Sequence, residues 1–263
     1  MLSLPEHHCR VDQMDVEVHA TPAAMGRAAA RAAAAWLHEV IGRQDEARVI
    51  FACAPSQDEF LAALARPELC GVALDWSRVA AFHMDDYIGL TGNHPQSFRA
   101  YLHSHLLSHV RVGRFHPLEA DDADSRAACT RYADLLRAGP IDLICMGVGE
   151  NGHIAFNDPP VANFDDPELV KVVELDEACR RQQVHDGCFA EIGDVPRRAI
   201  TLTIPVFRHA RRLSIHVHGA RKAAAIHAAL RGPVTPSCPA SILRTHPHAT
   251  LYLDREAAAR VSS

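Results

Sequence analysis

The sequence has no CxxC pair, no Lys/Arg run, no internal repeat and no low-complexity tract. Each absence removes a class of protein. The eight cysteines (Cys9, Cys53, Cys70, Cys129, Cys145, Cys179, Cys188 and Cys238) are scattered, several of them inside apolar runs. Unpaired cysteines in such runs behave as small hydrophobes, which fits a reducing cytoplasm better than a disulfide framework. With no basic run and a net charge of -5, neither nucleic acid nor a membrane is expected as a partner. The N-terminal MLSLPEHHCRVDQ lacks the basic start and apolar stretch of a secretory signal, and no window is apolar enough to span a bilayer. A cytoplasmic location is the resulting expectation. No linker divides the 263 residues, whose 48% hydrophobic and 22% charged content is that of an ordinary globular chain. One α/β domain over residues 1–263 is expected, with residues 1–14 peripheral or disordered.

What is present alternates between strand and helix patterns. Strands are predicted at residues 15–19, 48–54, 79–83, 141–148, 170–175, 200–204, 212–218 and 250–253. Thr21 caps a long Ala-rich helix that runs to about Arg43. Further helices are expected over 56–65, 95–110, 123–137, 177–187 and 220–230, with 159–166 a loop. This rhythm implies a largely parallel sheet with helices on both faces.

Residues 141–160, IDLICMGVGENGHIAFNDPP, say most about function. The apolar run from Ile141 to Met146 has the character of a fully buried parallel strand. Gly147, Gly149 and Gly152 follow, where side chains would block a tight turn or a ligand, and His153 comes directly after the last. A titratable imidazole on a glycine-built loop past a strand end suits proton chemistry. With 18 histidines in the chain, a chance histidine in a solvent-facing turn is the competing reading, and the neighbouring Asn151, Asn157 and Asp158 weigh against it. Ligands of such sheets sit beyond the carboxyl ends of the strands. Three more predicted strand ends carry polar groups: Asp85-Asp86-Tyr87, Pro55-Ser56-Gln57 and Gly219-Ala220-Arg221-Lys222. Converging a carboxylate pair, a histidine, a lysine and a polar helix start makes an acid/base site for a small anionic or polyhydroxy ligand.

FHMDDYIGL (residues 82–90), HPQSF (94–98), GVGENGHIAFNDP (147–159) and HPHATLYLD (246–254) resemble the glucosamine-6-phosphate deaminase/isomerase family in order and spacing. The likeness runs from about Asp15 to Asp254. The related 6-phosphogluconolactonases share a GxGxDGH loop but continue it differently, so the deaminase branch is preferred. The resemblance implies a Rossmann-like three-layer sandwich and no cofactor. It also implies ring opening of an aminosugar phosphate, then aldose-to-ketose isomerisation with loss of ammonia. It makes Asp85 the base that moves a proton between C2 and C1, with Asp86 a supporting acid, a hydrogen-bond acceptor or merely a cap. His153 becomes the ring-opening acid/base, oriented by flanking acids.

The chain also departs from the family pattern. Asn151 stands where the family often has Asp, and Asp158 where it usually has Glu. A His153–Asp158 pair survives this change, while a three-member relay with Asn151 is weakened. The loop Ala52-Cys53-Ala54-Pro55-Ser56-Gln57 has no glycine where the family binds phosphate, and Pro55 removes one amide donor. Lys222 matches the family's phosphate lysine, and a solvated lysine is its competing reading. Phosphate binding is assigned to Ser56, Gln57, Gly152 and Lys222, with Arg180 or Arg181 replacing an arginine that the family carries near Phe189.

His216 and His218 share one strand face without a third ligand, so no metal is expected. His246-Pro247-His248 reads as a turn, His7-His8-Cys9 as peripheral and Cys53 as packing. The chain stops soon after its last strand, so the long C-terminal extension of some family members is not expected. Self-association stays open. So do a lactonase-type hydrolase and a catalytically silent sugar-binding protein, both on the same fold.

Overall fold

The computed structural model describes residues 4–261. Its strands are β1 (His7–Val11), β2 (Met14–His19), β3 (Ala47–Phe51), β4 (Val79–His83), β5 (Asp85–Tyr87), β6 (Arg114–His116), β7 (Leu143–Met146), β8 (Val170–Glu174), β9 (Arg198–Leu202), β10 (Leu213–Val217) and β11 (Ala249–Asp254). Its α-helices are α1 (Pro22–Arg43), α2 (Asp58–Leu64), α3 (Pro67–Cys70), α4 (Phe98–Leu102), α5 (Ser125–Arg137), α6 (Glu177–His185), α7 (Ile204–His209) and α8 (Ala223–Arg231). Eight strands form the main sheet in the order β1-β2-β11-β10-β7-β3-β4-β6. Every pairing in it is parallel except the β1–β2 hairpin at one edge. The predicted α/β architecture of a mostly parallel sheet flanked by helices is therefore the observed one.

Strand alternation divides the core between the two faces. Val49 and Phe51 of β3 pack with the Ala-rich side of α1 and with α2, while Ile50 and Phe82 face the cluster that includes α5, α7 and α8. Helix α1 begins as its sequence dictates: the Thr21 hydroxyl accepts from the Ala24 N–H at 3.1 Å, and Pro22 opens the first turn. From β3 the chain moves outward to β4, whereas from β7 it reaches β10 on the other side. The strand order thus reverses between β3 and β7, and a crevice opens beyond their carboxyl ends.

Several expectations change in detail. The strands predicted at 170–175 and 200–204 do not join the main sheet. They are β8 and β9 of a separate antiparallel sheet in the order β5-β9-β8, with β9 at 198–202. β5 is the carboxylate segment itself, so main-chain pairing to Thr201, Ile200 and Ala199 fixes Asp85, Asp86 and Tyr87. The helix expected over 95–110 starts only at α4, where Ser97 accepts from the Ala100 N–H, and it widens into a π-type turn over His103–Leu107. His7, His8 and Cys9, expected to be peripheral or disordered, lie in the edge strand β1 and are peripheral in that sense; residues 1–3 lie outside the described part.

Candidate functional site

A cavity of about 570 Å³ opens at the reversal point. Its walls are the loop after β3 (Ala52, Cys53, Ser56), Asp85 after β4, the loop after β7 (Gly147, Gly149, His153) and the turn after β10 (Gly219, Arg221, Lys222). The four strand ends singled out in the sequence thus meet at one opening. Phe98 and Phe156 add apolar wall and stack on each other with centroids 5.7 Å apart.

Asp85 is 5% exposed, and its carboxylate receives no hydrogen bond from the described residues. Burial, followed by the nearby Asp86 charge, pushes its carboxyl well above the usual range. His83 anchors it from below. The Leu118 N–H donates to His83 Nε2 at 2.7 Å, so the proton sits on Nδ1 and is donated to the Asp85 carbonyl at 2.9 Å. Burial lowers the His83 pKa to about 3, which keeps this buried link neutral. The sequence reading missed His83, and no local pattern separates it from an ordinary strand residue.

His153 lies across the loop after β7, its Nδ1 3.0 Å from Asp158 Oδ1. That N–H is not aligned on the oxygen, so the contact is a close ion-pair approach and Nδ1 has no aligned hydrogen-bond partner. Asn151 touches both without meeting the ring: its amide donates to Asp158 Oδ1 at 2.9 Å, and its carbonyl accepts from the His153 N–H at 3.0 Å. Burial pushes the Asp158 carboxyl up, but His153, Asn151 and Cys179 together outweigh it and hold it below the ordinary value. Gly149 makes room for the imidazole, because a Cβ there would stand 2.3 Å from a ring atom. Gly152 has φ +84, and a Cβ on it would meet Cys238 Sγ at 2.9 Å.

The anion end is partly neutralised by the chain itself. Lys222 lines the cavity at 8% exposure, with no ion-pair or hydrogen-bond partner for its ammonium among the described residues. Burial is the main reason that its pKa falls below the ordinary lysine value. Arg221 also lines the cavity but is tied to Glu150 and Asp186, each at 3.1 Å. The amides of Gly219 and Ala220 already donate to Asp254 and Glu256 at 3.0 and 3.3 Å.

Six of the ten site residues named from sequence do not reach the cavity wall: Asn151 and Asp158 sit behind His153, and four others point elsewhere. Asp86 alternates to the opposite side of β5, fully buried, where it pairs with Arg99 at 3.0 Å and accepts from the Tyr87 and Phe98 amides. Gln57 points behind the loop, its Oε1 accepting from His216 Nδ1 at 2.8 Å and its side-chain amide donating to Ser56 Oγ at 3.0 Å. Gly152 turns toward Cys238, and Arg180 spends its guanidinium on the carbonyls of Ile192 and Val195. Of the site residues named from sequence, the wall receives Asp85, His153, Ser56 and Lys222, with Asp158 and Asn151 directly behind His153. Gln182, Gln183, His185 and Glu256 also line it and were missed. Cys53 reaches the wall with its thiol held protonated by burial, followed by the Asp85 and Asp86 charges, and His216 is buried against Phe60, rings 3.9 Å apart.

The family described as glucosamine-6-phosphate isomerases/6-phosphogluconolactonase matches residues 20–252. The chain is 38% identical over 188 residues to a glucosamine-6-phosphate deaminase of Exiguobacterium sp., covering 72% of each chain. It is 38% identical over 197 residues to glucosamine-6-phosphate deaminase 2 of Bacillus subtilis, covering 72% of this chain and 76% of that one. Among solved structures, a monomeric glucosamine-6-phosphate deaminase superimposes with a TM-score of 0.85 at 28% identity, over 93% of this chain and 99% of that one. A 6-phosphogluconolactonase from Trypanosoma brucei gives 0.76 at 18% identity, over 97% and 100%, and so shares the fold. A doubly wound α/β sheet with an acid/base cavity at its reversal point is the class that these features define. Within that class, the chain belongs to the glucosamine-6-phosphate isomerase/6-phosphogluconolactonase family and is an enzyme of its deaminase-like branch.

Proposed function

We propose that this enzyme converts glucosamine 6-phosphate, or a closely related aminosugar phosphate, to fructose 6-phosphate and ammonia. The observation that carries this reading is the Asp85 carboxylate: it is buried in the cavity wall, unpaired among the described residues and raised in pKa, and it shares the cavity with His153. His153, with Asp158 behind it, takes the anomeric hydroxyl proton and returns a proton to the ring oxygen, which opens the ring. Asp85 then lifts the C2 proton of the open aldose and delivers a proton to C1, leaving an imine at C2. Water adds to that imine and ammonia leaves. An isomerisation base works best when its pKa lies near the operating pH, and Asp85 is shifted in that direction.

Lys222 is the residue assigned to the phosphate, because it lines the cavity and its ammonium has no partner among the described residues, which leaves it free to meet an anionic ligand. Ser56 supplies a hydroxyl on the facing loop. Ammonia release separates this reading from a lactonase, which liberates none. The purified enzyme is to be assayed on glucosamine 6-phosphate, on glucosamine and on 6-phosphogluconolactone. Ammonia from the first substrate, with little from the second, is expected. Lactone hydrolysis without any ammonia release would replace this reading with the hydrolase.

A further inference from the structure

We infer that His153, Asp158 and Cys179 form a latent site for a thiophilic divalent cation, zinc above all, and that filling it switches the enzyme off. A nitrogen, a carboxylate oxygen and a sulfur from these three buried residues all lie within 4.8 Å of one another. Among the described residues this is the one cluster of three such ligands. Two atoms in it are buried without an aligned hydrogen-bond partner, His153 Nδ1 and Asp158 Oδ2. Buried polar atoms are seldom left so, and here two converge beside a thiol.

The ligand set selects the ion. Mixed nitrogen, oxygen and sulfur donors suit zinc, bound at about 2.0–2.3 Å, whereas magnesium and calcium favour oxygen alone. Three protein ligands leave the fourth tetrahedral position for water. Binding requires the three side chains to close on the ion, and His153 is the one member that faces the open cavity. Binding transfers the thiol proton of Cys179 to solvent and places thiolate, carboxylate and neutral imidazole on the cation. Nδ1 of His153 is then held by the metal, and Asp158 no longer supports an imidazolium. Ring opening stops while Asp85 and Lys222 remain untouched.

Cobalt(II) reports the site without reference to turnover, so the test is independent of which sugar the enzyme uses. Titrating Co²⁺ into the full-length enzyme is expected to produce a near-ultraviolet thiolate-to-cobalt band and visible bands of tetrahedral intensity, which Zn²⁺ then removes. Cys179→Ser is expected to lose the thiolate band. It is also expected to need at least tenfold more Zn²⁺ for half-inhibition of ammonia release, measured against its own uninhibited rate, and a chelator is expected to restore the wild type. Asp158→Asn, which keeps every cysteine, is expected to weaken the band as well, and it serves if Cys179→Ser does not fold. Cys188→Ser and Cys238→Ser control for the less buried thiols and are expected to keep the band. No band in the wild type, a band that survives both Cys179→Ser and Asp158→Asn, or unchanged zinc inhibition in Cys179→Ser overturns the inference.

Discussion

Asp85 and Asp86 are neighbours of one chemical type with opposite surroundings. Asp85 faces the cavity with a bare carboxylate, whereas Asp86 is spent on Arg99 and two backbone amides. The family resemblance favours Asp85 as the base, but the DD pair alone shows neither which carboxylate faces the cavity nor that Arg99, 13 positions on, meets the second. The raised pKa of Asp85 carries a sign. A base works only when ionised, so activity falls as pH drops through that raised value. The acid limb of kcat/KM is expected well above the carboxylate range near 4, as a pH–rate profile will read. An acid limb within the ordinary carboxylate range would contradict the burial argument. His83 contributes no limb near neutrality, since its pKa lies at about 3. Gly149→Ala tests the other half of the site. The new methyl occupies the imidazole's place, so kcat is expected to fall at least tenfold with the circular dichroism spectrum unchanged. A fully active Gly149→Ala would mean that the ring works from another position.

The turn between β10 and α8 sets how firmly the cavity holds an anion. Lys222 is its cation without a partner among the described residues, so Lys222→Ala is expected to raise the KM for a phosphorylated substrate by one to two orders of magnitude while altering kcat less. Glu256 acts in the opposite sense, because its carboxylate occupies the Ala220 amide at the place where a phosphate would approach. Glu256→Gln is expected to lower that KM several-fold, and steady-state kinetics of the two variants side by side will show opposite shifts. A common direction would dissolve the assignment of this turn to the anion. Below the cavity, β5 and α4 are joined by the Asp86–Arg99 pair, with Arg99 also bonded to Asp121 at 2.6 Å. Removing one partner of a buried pair strands the other. Asp86→Asn is therefore expected to destabilise the fold by about 3 kcal/mol, read by urea denaturation, and to move the acid limb of the pH profile downward, because the Asp86 charge helps to raise Asp85.

Which elements were legible follows from the range of the forces that make them. Helix α1 was readable end to end because alanine propensity, the Thr21 cap and the buried stripe are all local. β3, β4, β7, β10 and β11 were readable as apolar runs, since parallel strands are covered on both faces. β5 and β6 have three residues each and are held by pairing partners distant in sequence, which periodicity does not register. The same limit applies to the site. The loop carrying His153 announced itself by its glycines, while the cavity-lining Gln183 and Glu256 sit in segments with no local signature.

At the scale of the whole molecule, the reversal of strand order between β3 and β7 places four separate loops around one opening. A solved deaminase superimposes over nearly all of the chain, so the proposed acid/base residues rest on a shared frame. The anion end does not simply repeat the pattern expected of the family: the loop after β3 lacks glycine, and carboxylates crowd the turn after β10. The central claim concerns one proton carrier in this frame. It is tested most directly by the rate of ammonia release from glucosamine 6-phosphate by Asp85→Asn, compared with wild type at saturating substrate. Asparagine keeps the shape and loses the base, so kcat is expected to fall by roughly 10²–10⁴-fold with KM nearly unchanged. Release at the wild-type rate by a correctly folded Asp85→Asn would contradict the account.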